Sequence, residues 1–139
     1  MHYSMIDAIN MLGGAIVMVS DQQKALEFYS KKLGFEIKEN QEDGESRWIE
    51  VRPKNSGAPI SLMDPEHQDM SPELKEQAKK KIGAQTGLWF YAKDIQSAYH
   101  TLKDNGVEIT EPEKQSWGVS MSRFSCICFL YCLLSIDHA

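Results

Sequence analysis

Two stretches of this chain carry the same signals in the same order, and that repetition limits the fold more than any other feature. Set "GAIVMVSDQQKALEFYSKKLGFEI" over "GLWFYAKDIQSAYHTLKDNGVEI". Gly14 meets Gly87, Asp21 meets Asp94 and Ala25 meets Ala98, each 73 residues apart. Gly34 then meets Gly106, and Glu36-Ile37 meets Glu108-Ile109, now 72 apart, so one residue is lost within the second helix. In each copy a short β-branched or aromatic run reads as a strand. An aspartate follows where a helix N-cap belongs. Ala25, Leu26, Phe28, Tyr29 and Leu33 share one helical face in the first copy, and Ile95, Ala98, Tyr99 and Leu102 do so in the second. A glycine then stops each helix and a strand begins.

The remainder of the first copy is strand and turn. "FEIKE" is a strand, Asp43-Gly44 a turn, "SRWIEV" a strand, "KNSGAP" a turn and "ISLM" a strand. The unit is therefore βαβββ, occurring twice. The expected organisation is one α+β domain over 1–139. Its first module spans 12–63, a linker 64–85, and the second module 86–135, atypical at its C-terminal end. Within the linker Ser71 caps a short exposed helix that has Pro72 at its first position and ends near Lys81.

Composition restricts the function classes. At 139 residues and 42% hydrophobic content the chain can bury one core. A net charge of -5 argues against nucleic acid, whose phosphates need a basic field. The one lysine run, Lys79 to Lys81, reads as a solvated helix face. The start lacks a basic segment followed by an apolar one, so no signal peptide is expected. The longest apolar stretch, Cys126 to Ile136, is shorter than the roughly 20 residues a membrane helix needs. A soluble, cytoplasmic protein is expected, with no membrane or nucleic-acid partner.

The segments "VSDQQKALEFYSKKLGF", "GLWFYAKDIQSAYHTLKDNGV" and "TEPEKQSWG" resemble the vicinal oxygen chelate superfamily, which groups glyoxalases, extradiol dioxygenases, and bleomycin- and fosfomycin-resistance proteins. The likeness runs from about Ala15 to Arg123. It implies two βαβββ modules curled into an open eight-stranded barrel-like sheet around a ligand cavity, and a homodimer that in some members exchanges modules between chains. In the enzymes of the family a divalent metal is held by inward His, Gln or Glu side chains.

The resemblance also says where those ligands belong. A His commonly lies seven residues before each helix-capping aspartate, and those positions are Gly14 and Gly87 here. The fourth-strand ligand falls near Ser61, a poor divalent ligand. The last strand commonly follows a D-x-D-G-N turn and carries a Glu, whereas this chain has "SCICFLYCLLSIDHA". A catalytic ion needs about three protein ligands and an open position, so no cofactor is expected. The four histidines do not replace the missing set: His2 and His138 are near the termini, His67 is in the linker and His100 is on the polar side of the second helix. A rim group of Glu66, His67 and Asp69 is the weaker functional reading. Cys126, Cys128 and Cys132 share a strand face, but at roughly 3.3 Å per residue the outer two are about 20 Å apart and cannot meet at one ion. They read as apolar filler of the last strand. The tail after Phe124 departs so far from the family pattern that a shifted reading frame is a competing origin for it.

Strand alternation sorts the possible cavity residues. With Gly14 and Gly87 inward, Ile16, Met18, Trp89 and Tyr91 are inward too, while Val17, Val19, Leu88 and Phe90 pack under the helices. Ser61 and Met63 share the inward face. Trp48, Glu50 and Arg52 form one face of the third strand, and Trp117, Met121 and Arg123 are the second module's counterparts. An inward Glu50 or Arg52 requires a partner, because a lone buried charge is costly. Such walls suit a flat, partly apolar small molecule. Three functions compete: a metal-independent small-molecule binder, a metal-dependent lyase or dioxygenase with non-standard ligands, and an inactive remnant with an altered C-terminus. Whether the chain is an enzyme is left open by its sequence.

Overall fold

A computed structural model of the chain describes residues 8–54, 57–67, 69–126 and 129–135. The first module runs β1 (Ala15–Met18), α1 (Gln22–Glu27, continuing as a π-helical turn Phe28–Lys32), β2 (Glu36–Asp43), β3 (Ser46–Arg52) and β4 (Ile60–Met63). A 3₁₀ turn at Pro65–His67 and helix α2 (Pro72–Lys80) occupy the linker. The second module runs β5 (Gln85–Ala92), α3 (Ile95–Asp104), β6 (Glu108–Ile109), β7 (Glu113–Lys114), β8 (Ser120–Cys126) and β9 (Phe129–Ser135). His2, His138, Cys128, the turn residues Asn55 and Ser56, and the side chain of His67 lie outside the described residues.

The two modules have one topology. In the first sheet the order is β1-β4-β3-β2, with β1 parallel to β4 and the other pairs antiparallel. The second sheet has the order β5-β9-β8-β6, with β5 parallel to β9 and β7 paired to β8. The apolar tail thus forms the strand that the repeat demands. No strand of one sheet pairs with the other among the described residues, which leaves the barrel open. Among the described residues there are nine strands where eight are expected. Pro112 lies between β6 and β7, and a proline donates nothing to a ladder. The long β2 of the first module therefore has two short counterparts in the second.

The same physics builds both helices. Asp21 accepts a hydrogen bond from the Lys24 amide at 3.0 Å, and Asp94 accepts one from the Ser97 amide at 3.2 Å. Each satisfies an amide that the first helical turn leaves without a partner. The one-residue difference between the repeats has a structural counterpart. Phe28–Lys32 is π-helical, and the Leu33 amide bonds back to the Phe28 carbonyl at 3.1 Å. The wider turn takes up the extra residue, so Phe28 and Tyr29 both stay buried and Gly34 still ends the helix at φ +74°.

The helix-side faces of both sheets enter one core. Val17, Val19, Ile49, Val51, Ile60 and Leu62 pack under α1, and Ile95, Val107, Phe124 and Leu133 join them from the second module. A chain of rings links the halves: Tyr29 to Phe35 at 5.6 Å, Phe35 to Phe90 at 5.3 Å and Phe90 to Phe124 at 6.1 Å. The Asn105 side-chain amide, at the end of α3, donates to the Lys32 carbonyl at 3.1 Å. Gln22 has no distinguishing sequence signal, yet it is buried and donates from Nε2 to the Arg47 and Leu62 carbonyls, both at 2.9 Å. It anchors the start of α1 to the sheet.

Candidate ligand-binding site

With one face of each sheet committed to the core, the other is left open to solvent. β5 shows this most clearly. Thr86, Leu88, Phe90 and Ala92 are half-buried, and the alternate residues Trp89 and Tyr91 are 57% and 58% exposed. On the first sheet the open face carries Ile16 at 56% and Trp48 at 42%. Trp117, at 63%, is in the turn that precedes β8. Lone exposed apolar residues are ordinary, but here large side chains repeat along the open sheet faces.

The first sheet forms a recess on that face. Ile16, Ser61 and Glu50 are register partners across β1, β4 and β3, so they make one row. Together with Gly13, Gly14, Trp48 and Pro59 they line a cavity of about 220 Å³. A neighbouring cavity of about 500 Å³ also reaches Ile16 and Met18, and runs to Lys81, Ala84, Gln85 and Thr86 at the start of β5. Its walls come from both modules.

Gly14 has a packing reason to be glycine. A Cβ at this position would stand 2.8 Å from the Pro59 carbonyl oxygen. That carbonyl accepts the Ala15 amide at 3.0 Å and begins the β1–β4 ladder. Gly87 has a different reason. Its φ is +72°, within the stretch between Gln85 and Trp89 where the β5–β9 register shifts. The two aligned glycines therefore answer to different backbone demands.

The charges on the open face have found partners. Glu50 is 3.6 Å from Lys38, and Arg52 bonds Glu36 at 2.6 Å. Lys38 was not singled out from the sequence, since it lies on another strand where the pairing of β2 with β3 shifts register. Ser61 is 5% exposed, and its hydroxyl has no hydrogen-bond partner among the described residues.

Of the residues proposed from sequence, the structure brings Trp48, Glu50 and Ser61 into one recess. Met63 is opposite Met18 in the register, one alternation further along. Arg52 is held by Glu36. Trp89 and Tyr91 belong to the second sheet, Trp117 to its turn, and Arg123 to an exposed position on β8; none of them forms a wall of this recess. In the linker, Glu66 is ion-paired with Lys79 and Asp69 is exposed. Lys79 is held above the ordinary lysine range by its hydrogen bond to Glu66.

Among the described residues, the donors at the positions where the family holds its metal do not fit a divalent ion. Gly14 leaves no room for a side chain, Ser61 offers a hydroxyl, and Glu50 is a single carboxylate. Among the described residues no three His, Cys, Asp or Glu side chains converge. Among those residues, too, no helix is long and apolar enough to cross a membrane.

Two βαβββ units, each a sheet with a helix on one face and an open face on the other, define a paired-module α+β class. The family model of the glyoxalase/bleomycin resistance protein/dioxygenase superfamily matches residues 8–127, and the chain belongs to that superfamily. β9 lies beyond the matched range. The uncharacterised protein YetH of Bacillus subtilis (strain 168) is 35% identical over 112 residues, covering 79% of this chain and 85% of YetH. A superfamily member from Sphaerobacter thermophilus DSM 20745 superposes with a TM-score of 0.75 at 32% identity, covering 91% of this chain and 98% of the other. TnmS3, an antibiotic binding protein from Streptomyces sp. CB03234, superposes with a TM-score of 0.76 at 26% identity, covering 94% and 98%.

Proposed function

We propose that this protein is a metal-independent binder of a small, flat, partly apolar molecule, and that it works as a homodimer. The observation that carries this reading is the open face itself: Ile16, Trp48, Trp89 and Tyr91 are large, apolar and solvent-facing, while the helix side of the same strands is packed. Cavities that bind small molecules are lined by such side chains with a few polar groups between them. A second copy laid over these faces would turn open recesses into an enclosed site. The antibiotic-binding relative supports a binding role, and the unsuitable donor set supports metal independence. In a homodimer the site residues are Trp48, Glu50, Ser61 and Met63 from the first module and Trp89, Tyr91, Trp117 and Arg123 from the second, with Arg52 at the rim.

Thermal melting against a panel of flat aromatic compounds, with and without a chelator, tests the reading. A ligand at 100 times its Kd raises stability by about 2.7 kcal/mol. Stabilisation that survives chelation is expected. Loss of every shift on chelation, with stoichiometric metal in the untreated protein, would transfer the assignment to a metal-dependent lyase or dioxygenase. Light scattering gives the oligomeric state, and a monomer at micromolar concentration contradicts the dimer.

A further inference from the structure

The polar side chains of the first-module recess are a carboxylate and a hydroxyl, which bears on the ligand's chemistry. Ser61 lines the recess, and its buried hydroxyl has no hydrogen-bond partner among the described residues. Nearly every buried polar group in a folded protein is hydrogen-bonded, so the Ser61 hydroxyl has room for a partner, which a ligand or an ordered water can supply. Beside it in the same row stands Glu50, whose side chain is 16% exposed. A carboxylate has about four acceptor sites. Among the described residues Glu50 has only the ion pair with Lys38, at 3.6 Å, longer than a hydrogen bond. The other cation on this face, Arg52, is spent on Glu36 at 2.6 Å. Trp48, two residues from Glu50 on the same strand face, supplies a flat wall, and Gly13 and Gly14 leave the opposite side without side chains.

From this juxtaposition, and resting on the binding role proposed above, we propose that the ligand is a planar aromatic amine or amidine. Its ring lies against Trp48 and its N–H groups are directed at the Glu50 carboxylate and the Ser61 hydroxyl. A cation is favoured twice here, by the carboxylate and by the face of the indole ring. A carboxylate-bearing ring of the same shape meets Glu50 as a like charge.

Three compounds of one shape make the test: 2-aminoquinoline, quinoline and quinoline-2-carboxylate, titrated into the full chain with tryptophan fluorescence as the readout. The expected order is aminoquinoline tightest and the carboxylate weakest. A hydrogen bond to a charged group corresponds to roughly 10- to 100-fold between aminoquinoline and quinoline. Glu50→Gln should bring aminoquinoline down to the level of quinoline. Lys38→Met, which removes the competing cation and leaves the recess intact, should tighten aminoquinoline binding and serves where Glu50→Gln does not fold. Quinoline or the carboxylate binding as tightly as aminoquinoline overturns this ligand class and leaves the binding role standing. Binding of none of the three, by a dimer that also ignores the broader aromatic panel, overturns both.

Discussion

Adding one methyl group at Gly14 should be among the costlier small changes this protein can suffer. The new Cβ would stand 2.8 Å from the Pro59 carbonyl oxygen, where ordinary contact begins several tenths of an ångström further out. The obstacle is backbone, so no side chain can swing aside. Relief requires β1 to draw away from the residue before β4, and the first casualty is the 3.0 Å bond from the Ala15 amide to that carbonyl. Overpacking of this kind costs about 1–3 kcal/mol. At roughly 2.1 cal/mol/K of unfolding entropy per residue, a chain of 139 residues should melt about 3–10 °C lower. The adjacent glycine is a built-in control. A Cβ at Gly13 meets nothing within 4 Å, and its φ is not in the left-handed region. Gly13→Ala should therefore be neutral, or stabilising by about 0.4–1 kcal/mol through the unfolded chain. Calorimetric melts of both variants at one protein concentration make the comparison. If Gly14→Ala melts at or above Gly13→Ala, the packing argument for this glycine is refuted. The same geometry predicts that installing a histidine at position 14 would not by itself recreate a metal ligand, because any side chain there meets the carbonyl first.

Asp21→Ala should cost about 1 kcal/mol by removing the cap on the Lys24 amide, as urea midpoints would show; an unchanged midpoint rules out the cap. Asp94 is held below the ordinary aspartate range, first by the hydrogen bond from the Ser97 amide and then by the Ser97 hydroxyl. A lowered folded value means that this contribution is whole above the unfolded value of about 3.9 and fades as pH falls through the folded one. Acid melts of Asp94→Asn should accordingly be flatter than wild type below about pH 4, and parallel curves would count against it. Deleting Lys31 should convert the π-turn to α-helix and leave a folded chain, because it makes the first repeat as long as the second. Circular dichroism and a cooperative melt check this, and a non-cooperative melt refutes it.

Much of the architecture was legible because it rests on local chemistry. The Asp21 and Asp94 caps, the Gly34 and Gly106 stops and the alternation of "GLWFYA" are each decided by residues near in sequence, and the structure places all of them as read. The missing residue between repeats was also visible, although not that a π-turn would absorb it in the first helix rather than a shorter loop after it. The candidate site was legible in part. Alternation put Trp48, Glu50 and Arg52 on one face of β3 and Ser61 and Met63 on one face of β4, but a period of two says nothing about which strands lie side by side or which of their faces agree.

The sequence by itself determined two βαβββ units and the absence of the usual ligating side chains, since both are properties of residue type and spacing. Tertiary structure alone decided the rest. The parallel β1–β4 pairing set Ser61 beside Glu50 and pressed Gly14 against Pro59. The register shift in β2 brought Lys38 to Glu50 and left Arg52 to Glu36. The ring contact of Phe35 with Phe90 turned one face of each sheet into a common core and the other toward solvent. These are contacts between residues far apart in the chain. Their geometry follows from how strands and helices pack, which no local pattern encodes.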